Sequence, residues 1–313
     1  MSETFCLAWL LVCRSRTSIR VPRLMIMAIC WLACSLPIVT SETAVSVEIA
    51  SAEEQAGTGA PVTDRLRVLN WNVLYAFNHG KSVDGGVQWI RELSPDVVAL
   101  QELNGLTTDS LKMLASRWGH DHALILKEKG FPVGLTSRQP ILLVDRQVEG
   151  FHHGYLHART AGIDFFVVHF WPGKDHEAEQ VATKIRPLIE RGCPVVLLGD
   201  FNNHSRRDQA FLDSRSGVTP RYGVVDLFES IGLVDLVHAF QPDQKYSCPS
   251  PVTIPRWSAD LTELQSKWQR IDFVFADQVL GKSARAAEIR ITDELGKISD
   301  HYPLVVDFER ESE

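Results

Sequence analysis

The sequence predicts an α/β layered domain, because strand-like and helix-like segments alternate along most of its length. Apolar runs of strand length occur at Leu66–Tyr75, Asp96–Glu102, Phe165–His169, Val195–Gly199 and Arg270–Phe275. Stretches of helical character occur at Asp84–Leu93, Thr107–Trp118 and His176–Arg191. In the last of these, Val181, Ile185, Leu188 and Ile189 recur at helical spacing, and Gly192 is the predicted stop. Alternation of this kind is typical of α/β layered domains.

The domain organisation follows from where this alternation begins and ends. We predict one domain at residues 65–309, without an internal repeat or a low-complexity linker. Residues 41–64 lack periodicity and are rich in Ala, Glu, Ser and Thr, which predicts a flexible tether. Residues 310–313 form a short tail.

Residues 1–40 are interpreted as a signal peptide or a membrane anchor. Arginines precede an apolar run, Leu24–Val39, and small and polar residues follow it. The run has about 16 residues, fewer than the roughly 20 that a spanning helix needs. We expect an exported protein, which is periplasmic, extracellular or membrane-anchored, with cleavage near Ser41–Ser46 if the leader is removed. An uncleaved anchor, a lipoprotein box at Trp31–Cys34 and a later start codon at Met25 or Met27 are alternatives.

Cysteine usage and charge limit the classes of function. Four of the six cysteines lie in residues 1–40, and only Cys193 and Cys248 follow. Export would permit a disulfide between these two, whereas Cys193 could equally be a core thiol. No cysteine and histidine spacing is typical of a zinc site. The formal net charge is −7, which argues against tight nonspecific binding to duplex nucleic acid.

The run Val195–Asn203 places polar groups at the end of a predicted buried strand. A carboxylate there is costly without a cation or a hydrogen-bond partner, so Asp200 is a candidate site residue. Because strand side chains alternate faces, Asn202 is expected on the same side as Asp200. An ordinary strand followed by an Asp/Asn turn is the alternative.

Similar polar residues end or interrupt the other apolar runs. They are Asn72, Glu102, His169, Asp272 and the pair Asp300–His301. Each has an ordinary explanation alone, such as a loop start, a core histidine or a helix cap. Their repeated occurrence in one chain favours a shared site.

In order and spacing these segments resemble the endonuclease/exonuclease/phosphatase superfamily, the deoxyribonuclease-I-like fold. The motifs are N-V at Asn72, Q-E at Glu102, V-V-H at His169, G-D-F-N at Asp200 and Asn202, R-I-D-F-V-F at Asp272 and S-D-H-Y-P at Asp300 and His301. The segment Phe131–Ile141 also fits, and the resemblance extends from about Leu66 to Phe308. It implies a four-layer sandwich, in which two packed mixed β-sheets are flanked by helices.

The resemblance also implies metal-assisted hydrolysis of a phosphate ester. Oxygen ligands without thiolates suit Mg²⁺ or Mn²⁺. Glu102 would be the main metal ligand, helped by Asn72 and Asp300. Asp200 would orient or deprotonate the attacking water, and Asn202 would hold that water or a phosphate oxygen.

Two histidines complete the implied site. His301 would contact the scissile phosphate and be oriented by Asp272, a pairing that favours the cationic imidazole. His169 would supply a second hydrogen-bond donor to the phosphoryl oxygens.

Departures from the family pattern bear on the substrate. Abasic-site repair enzymes usually have an acid where this chain has Leu74. The glutamate that partners the first histidine in the deoxyribonuclease branch has no clear counterpart; Glu128 and Glu149 are the alternatives. Tyr155 and Arg159 are candidate phosphate contacts or ordinary strand residues.

The segment Gln241–Gln269 is predicted to be a long loop at the cleft. Its aromatic residues, Tyr246, Trp257 and Trp268, would stack on a base or sugar, touch a lipid surface, or pack the loop onto the domain. We expect most of the remaining histidines to be structural or to lie at the surface. His204 is the exception to watch, because it lies just after the G-D-F-N motif.

The expected function is that of an exported, divalent-metal-dependent phosphoesterase, with a nuclease favoured. A phosphodiesterase or phosphatase acting on lipid or small-molecule phosphates is the alternative, and a non-catalytic binding member of the family is a third. Expected partners are a phosphate-ester substrate, nucleic acid among the choices, and a membrane through the N-terminal segment. We expect a monomer.

Overall fold

The computed structural model describes residues 65–309, which lie within one compact unit, Gly59–Glu313. The predicted leader at 1–40, the tether at 41–64 and the tail at 310–313 lie outside the described residues. The domain boundaries therefore stay a prediction.

Residues 65–309 form two six-stranded sheets. The first sheet has the order β11-β12-β1-β2-β4-β3 and the second the order β5-β6-β7-β8-β10-β9. The strands are β1 Arg65–Asn72, β2 Val97–Gln101, β3 His122–Ile125, β4 Gly134–Ser137, β5 Leu142–Gln147, β6 Tyr155–Thr160, β7 Ile163–His169, β8 Val195–Asp200, β9 Leu233–Asp235, β10 Asp272–Asp277, β11 Ala284–Ile289 and β12 Leu304–Glu309.

Both sheets are mixed, with one parallel pair near the centre of each. β1 and β2 run parallel in the first sheet, and β7 and β8 run parallel in the second; the other pairs are antiparallel. These four strands face one another across the interface between the sheets. The four-layer sandwich of the family that the sequence resembles is confirmed.

Close approach of the two parallel strands in the second sheet requires a glycine. A β-carbon on Gly199 would collide with the carbonyl oxygen of Val168 in β7. The two adjacent residues Gly199 and Asp200 therefore have different roles. The glycine lets the strands approach, and the aspartate lies at the strand end.

The helices cover the outer faces. They are α1 Val83–Leu93, α2 Thr108–Ser116, α3 Asp175–Glu190, α4 Gln209–Asp213, α5 Gly223–Ser230, α6 Leu236–Phe240, α7 Leu261–Ser266 and α8 Gln278–Ser283, with short 3₁₀ turns at Arg206–Asp208, Pro251–Thr253 and Leu295–Lys297. The three helices predicted from periodicity are present within one or two residues of their expected bounds. Gly192, with φ +71°, follows α3 as predicted.

Two apolar clusters hold these layers together. The larger one fills the space between the sheets and extends under α1 and α2, and includes Trp71, Phe165 and Val274. The smaller one lies between the second sheet and the helices α3 and α5, where Phe201 and Phe228 pack together. The sheets are thus buried on their facing sides, and their strand ends are held in a fixed relative position.

The chain departs from the sequence prediction directly after β1. The apolar pattern predicted a strand to Tyr75, but β1 ends at Asn72 and the next residues form a left-handed helical turn, Leu74–His79. Its φ values lie between 44° and 64°. The strand prediction was wrong there because burial of Leu74, Ala76 and Phe77 continues the apolar pattern while the backbone changes hand.

The segment Gln241–Gln269 is only partly a loop, because it contains α7 and a 3₁₀ turn. Tyr246 packs against the core and against Tyr302, and Trp268 stacks on Tyr246 with ring centroids 4.1 Å apart, so both help to pack the segment onto the domain. Trp257 remains 45% exposed.

Cys193 and Cys248 are free thiols in the structure. Within residues 65–309 no helix has the length and apolar character needed to cross a bilayer.

Candidate active site

The topology brings the predicted site residues to one end of the sandwich. Asn72 is the last residue of β1 and Glu102 follows β2, while His169 and Asp200 end β7 and β8. In the register of the second sheet, Asp200 lies opposite His169 on one side and opposite Asp272, the first residue of β10, on the other. Polar side chains that are far apart in sequence therefore meet where the parallel strands end.

Asp300 and His301 reach the same place from the turn before β12. The Ser299 hydroxyl donates to the Asn72 carbonyl oxygen at 2.6 Å, which ties this turn to the end of β1. The indole N–H of Trp71 donates to the His301 carbonyl oxygen at 2.8 Å. The histidine backbone is thereby anchored to the core between the sheets.

The Asp200 carboxylate is the centre of the cluster and is 2% exposed. Its Oδ2 lies 3.5 Å from Nε2 of His169 and 3.8 Å from Nε2 of His301. The Asn72 side-chain amide donates to Oδ2 at 3.1 Å, and the backbone N–H of Asn202 donates to Oδ1 at 2.9 Å. Two imidazoles and one carboxylate therefore converge on a single point.

His301 is held by an acid on its other ring nitrogen. Its Nδ1 is 2.8 Å from Oδ2 of Asp272, as the resemblance implied, and both residues are buried. The Ser247 hydroxyl donates to the same carboxylate oxygen at 2.6 Å. Sequence reasoning missed Ser247, because nothing in the segment Gln241–Gln269 marks one serine as a partner of a residue 25 positions later.

The pKa values of the two imidazoles are shifted in opposite directions. Burial alone would lower the pKa of His301, but the charges of Asp272, Asp300 and Asp200 raise it well above its ordinary value. Burial lowers the pKa of His169 well below its ordinary value, and the nearby His153 and His301 lower it further. One imidazole is therefore cationic near neutral pH and the other is neutral.

His169 has an aromatic neighbour in place of an acidic partner. Its ring stacks on His153, with centroids 4.3 Å apart and planes 27° apart, and Phe131 approaches edge-on at 6.4 Å. Its Nδ1 has no hydrogen-bond partner among the described residues, so neither Glu128 nor Glu149 is the glutamate sought from sequence. His153 was expected to be structural or superficial, and only its position in space reveals its contact with His169.

The carboxylates resist ionisation. Burial, and then the charge of Asp272, raise the pKa of Asp200 to about 8. Burial raises the pKa of Asp300, and burial and the charge of Asp300 raise that of Glu102. A cation beside these oxygens would favour the ionised forms of all three.

The donor set fits a hard divalent cation. Ligand atoms of Asp200, Asp272 and His301 lie within 4.8 Å of one another. This group differs from the Glu102 and Asp300 implied by the resemblance, and a cationic His301 leaves the carboxylates as the ligands. Glu102 belongs to the same network, because the Asn72 amide donates to its Oε1 at 3.2 Å as well as to Asp200. Carboxylate oxygens of this kind suit Mg²⁺ or Mn²⁺.

Asn72 is hydrogen-bonded to two of these acids. Its Oδ1 accepts the backbone N–H of Leu74 at 3.2 Å, and its N–H₂ group lies between the carboxylates of Glu102 and Asp200. Asn72 thus bridges the two carboxylates, and its role as a metal ligand stays a prediction.

Asn202 does not follow β8 in the way that strand alternation predicted. β8 ends at Asp200, and Asn202 has φ +47°, in the left-handed region. Its side-chain amide donates to the Phe170 carbonyl oxygen at 3.0 Å. Asn202 is thus beside Asp200 because of a turn and not because of a strand face.

Three other candidate residues contact groups outside the cluster around Asp200. The Tyr155 hydroxyl donates to Asp145 at 2.7 Å on β5, and Arg159 lies 3.9 Å from Asp164. His204 contacts the Arg221 carbonyl oxygen and the Gln269 side chain.

The assembled side chains can do three kinds of chemistry. A buried carboxylate can take a proton from water once it is ionised, a cationic imidazole can stabilise negative charge, and a neutral imidazole can donate one hydrogen bond. The distances bring these groups together; which of them moves a proton or holds a cation stays a prediction.

Comparison with known proteins gives one family and several structures. A model described as endonuclease/exonuclease/phosphatase family matches residues 69–301. A search of curated proteins finds no match. Among solved structures, an AP endonuclease from Archaeoglobus fulgidus aligns with TM-score 0.65 and 19% identity, over 78% of this chain and 99% of that chain.

Two Neisseria structures are also similar. The 3′ phosphatase NExo from Neisseria, bound to a product DNA hairpin, aligns with TM-score 0.62 and 19% identity, over 78% of this chain and 99% of that chain. A 3′-5′ exonuclease, NExo, from Neisseria meningitidis aligns with TM-score 0.58 and 18% identity, over 78% and 100% of the two chains. At these identities the likeness is one of fold.

Proposed function

Because the chain belongs to the endonuclease/exonuclease/phosphatase family, whose members hydrolyse phosphoester bonds, we propose that it is a metal-dependent phosphodiesterase that acts by direct attack of water. The observation that carries this proposal is the position of Asp200. Its carboxylate lies within 4 Å of two imidazoles, the cationic His301 and the neutral His169. A tetrahedral phosphate bound there would meet a proton acceptor, a cation and a neutral donor together.

Asp200 is the proposed base. In its ionised form it takes a proton from the attacking water, while the amide of Asn72 and the backbone N–H of Asn202 hold its two oxygens in place. A well-placed general base accounts for roughly 10²–10⁴-fold in rate. Asn202, on the turn after β8, would orient the water or a phosphate oxygen.

The two histidines stabilise the charge that develops on the phosphoryl oxygens. His301 does so as a cation, which its contact with Asp272 maintains. His169 contributes a hydrogen bond from Nε2 if its proton lies on that nitrogen. No covalent intermediate on the protein is involved, because water is the nucleophile.

A divalent cation, Mg²⁺ or Mn²⁺, held by Glu102 and Asp300 would neutralise charge on the phosphate and the leaving oxygen. The raised pKa values of these two buried acids support this assignment, since a bound cation would relieve their mutual repulsion. Asn72 would act from beside the cation, by fixing Glu102 relative to Asp200.

Nucleic acid is the proposed substrate, and the NExo structure with its product DNA hairpin supports this choice. The net charge of −7 favours the alternative, a lipid or small-molecule phosphate ester. A non-catalytic binding member is the remaining alternative, and the filled catalytic positions argue against it. The experiment below separates the three.

The test is a hydrolysis screen of the purified protein beside its Asp200→Asn variant. The substrates are bis-p-nitrophenyl phosphate, p-nitrophenyl phosphate, plasmid DNA, RNA and sphingomyelin vesicles, each with Mg²⁺ and with EDTA. We expect activity on DNA or RNA that is lost with EDTA and in the variant. Activity on vesicles alone would select the lipid alternative, and a folded protein that is silent on every substrate would contradict hydrolysis.

We also propose that the protein is exported, on the basis of its N-terminal sequence pattern. N-terminal sequencing of the protein from its native host should begin after about residue 40 if the leader is cleaved. An intact Met1 in a soluble cytoplasmic fraction would contradict export.

A further inference from the structure

The left-handed turn Leu74–His79 lies directly beside the candidate active site. The backbone N–H of Tyr75 donates to Oε2 of Glu102 at 3.2 Å, and that of Ala76 donates to the Glu102 carbonyl oxygen at 2.7 Å. Left-handed helical backbone costs an L-residue roughly 1–2 kcal/mol. None of the six residues is glycine, and only Asn78 adopts this region readily. Such strain is typically retained at functional sites.

The turn is held in place by the core beneath it. Phe77 is fully buried and packs against Trp71 and Gly86. A β-carbon at Gly86 would collide with the Phe77 ring, so α1 and the turn are packed as closely as a glycine allows. The strained backbone is therefore part of the rigid domain.

The change of hand presents two rings at the edge of the site. Tyr75 and His79 stack with centroids 4.5 Å apart and planes 17° apart, and Tyr75 also meets Phe131 edge-on at 5.2 Å. Tyr75 is half-buried, whereas His79 is exposed.

A cation from the segment Gln241–Gln269 reaches this pair, and a further aromatic ring lies beside that cation. Nη1 of Arg256 lies 3.4 Å from Nε2 of His79, 177 positions away in sequence. The Arg256 guanidinium also lies 5.5 Å from the centre of the Trp257 ring, and that ring is 45% exposed. None of the ion pairs within residues 65–309 involves Arg256, so its charge is available to a ligand.

We propose that Tyr75, His79, Arg256 and Trp257, the aromatic rim, bind an unpaired nucleotide next to the scissile phosphate. Its base stacks on the exposed rings, and Arg256 pairs with its phosphate. The argument is one of chemical complementarity, since alternating aromatic rings and cations are what single-stranded nucleic acid binds. The inference rests on the proposed function and deepens it: the substrate is single-stranded or has a frayed end.

The first measurement is equilibrium binding in EDTA, where turnover does not interfere. The full chain would be titrated into a fluorescein-labelled single-stranded DNA and into a strand of equal length made of abasic tetrahydrofuran residues. Stacking of one base contributes roughly 1–3 kcal/mol, so His79→Ala and Trp257→Ala should each weaken binding of the normal strand about 5- to 150-fold. The same variants should leave binding of the abasic strand almost unchanged.

Arg256 and a control residue complete the design. Arg256→Ala should weaken binding of both strands, and should reduce the slope of log affinity against log salt by about 0.7, as expected for one lost phosphate contact on a single strand. Phe240→Ala removes an exposed aromatic ring on α6 that makes none of the rim contacts, and binding should not change.

Several outcomes would overturn the inference. Equal losses on the normal and abasic strands would exclude base stacking, and unchanged binding in both His79→Ala and Trp257→Ala would exclude the rim altogether. Variants that cleave DNA normally but lose activity on sphingomyelin vesicles would assign the rim to lipid. Failure of the proposed function looks different: the wild type would then bind through the rim in EDTA but hydrolyse nothing with Mg²⁺.

Discussion

Replacing Asp200 by Asn should abolish hydrolysis and, at neutral pH without metal, make the protein more stable. The wild-type carboxyl is buried, and burial raises its pKa from an ordinary value of 3.8 to about 8. Between these two pH values the unfolded chain carries the charge and the folded chain carries the proton. The free energy of unfolding therefore falls as the pH rises from about 4 to about 8.

The size of the effect follows from the same two values. At pH 7 the wild type is destabilised by about 4 kcal/mol, taking about 1.4 kcal/mol for each pH unit above 3.8. An Asn at this position carries no charge and keeps an acceptor for the backbone N–H of Asn202. It places an N–H₂ group against that of Asn72, and losing that hydrogen bond costs about 1–3 kcal/mol. A net gain of about 1–3 kcal/mol remains, which is about 2–10 °C in Tm for a domain of this size.

Thermal unfolding in EDTA at pH 5 and pH 7 is the assay. The variant should have the larger free energy of unfolding at pH 7. Its advantage over the wild type should be almost 3 kcal/mol smaller at pH 5, because the wild-type carboxyl is then destabilised much less. Asp121→Asn, at an exposed carboxylate, is the control and should show no such difference. A variant that is less stable than the wild type at both pH values, or a gain that does not depend on pH, would refute the argument that Asp200 is a strained buried acid.

Three further predictions concern the neighbours of Asp200. Glu102→Ala should abolish turnover at ordinary Mg²⁺ concentrations, and full activity over a Mg²⁺ titration would contradict its role as a metal ligand. Asp272→Asn and His301→Ala should be non-additive in kcat/KM, since the two residues act as one unit; additive losses would break the pair. His153→Ala should lower kcat about 3- to 10-fold without changing KM, because a stacked ring contributes about 0.5–1.5 kcal/mol. His153→Phe keeps that ring and should retain most of the rate; equal losses in both variants would exclude a positioning role.

The fold was predictable to the extent that burial leaves a pattern in the sequence. β1, β2, β7, β8 and β10 are buried along most of their length, and each was expected from an apolar run. β5 lies at the edge of its sheet and is largely exposed although it begins with Leu142, Leu143 and Val144, and it was not among the strands expected from the sequence. The left-handed turn could not be predicted either. Its apolar residues are those of a strand, and the backbone is held by contacts with Glu102 and Trp71 that only the folded chain makes.

The site was predictable where a charged residue lies at the end of a buried strand or directly after it. Asp200 and Glu102 stand out because a carboxylate at the end of an apolar run is costly. Ser247 and His153 have no such signature, since their importance depends on which residue lies beside them in space. The orientation of the Asn72 amide belongs to the same class, because it is decided by two carboxylates and one backbone N–H from three different elements.

The unfavourable features of this molecule are concentrated at one end of the sandwich. Asp200 has a raised pKa, Glu102 and Asn202 have positive φ values, and the turn after β1 is left-handed. Each of them destabilises the ligand-free fold, and burial between the two sheets must offset them. A cation held by Glu102 and Asp300 would bind only the folded chain, and would therefore stabilise it. The same packing keeps the aromatic rim beside these acids, so the proposed binding of a nucleotide and the proposed hydrolysis would share one preformed surface.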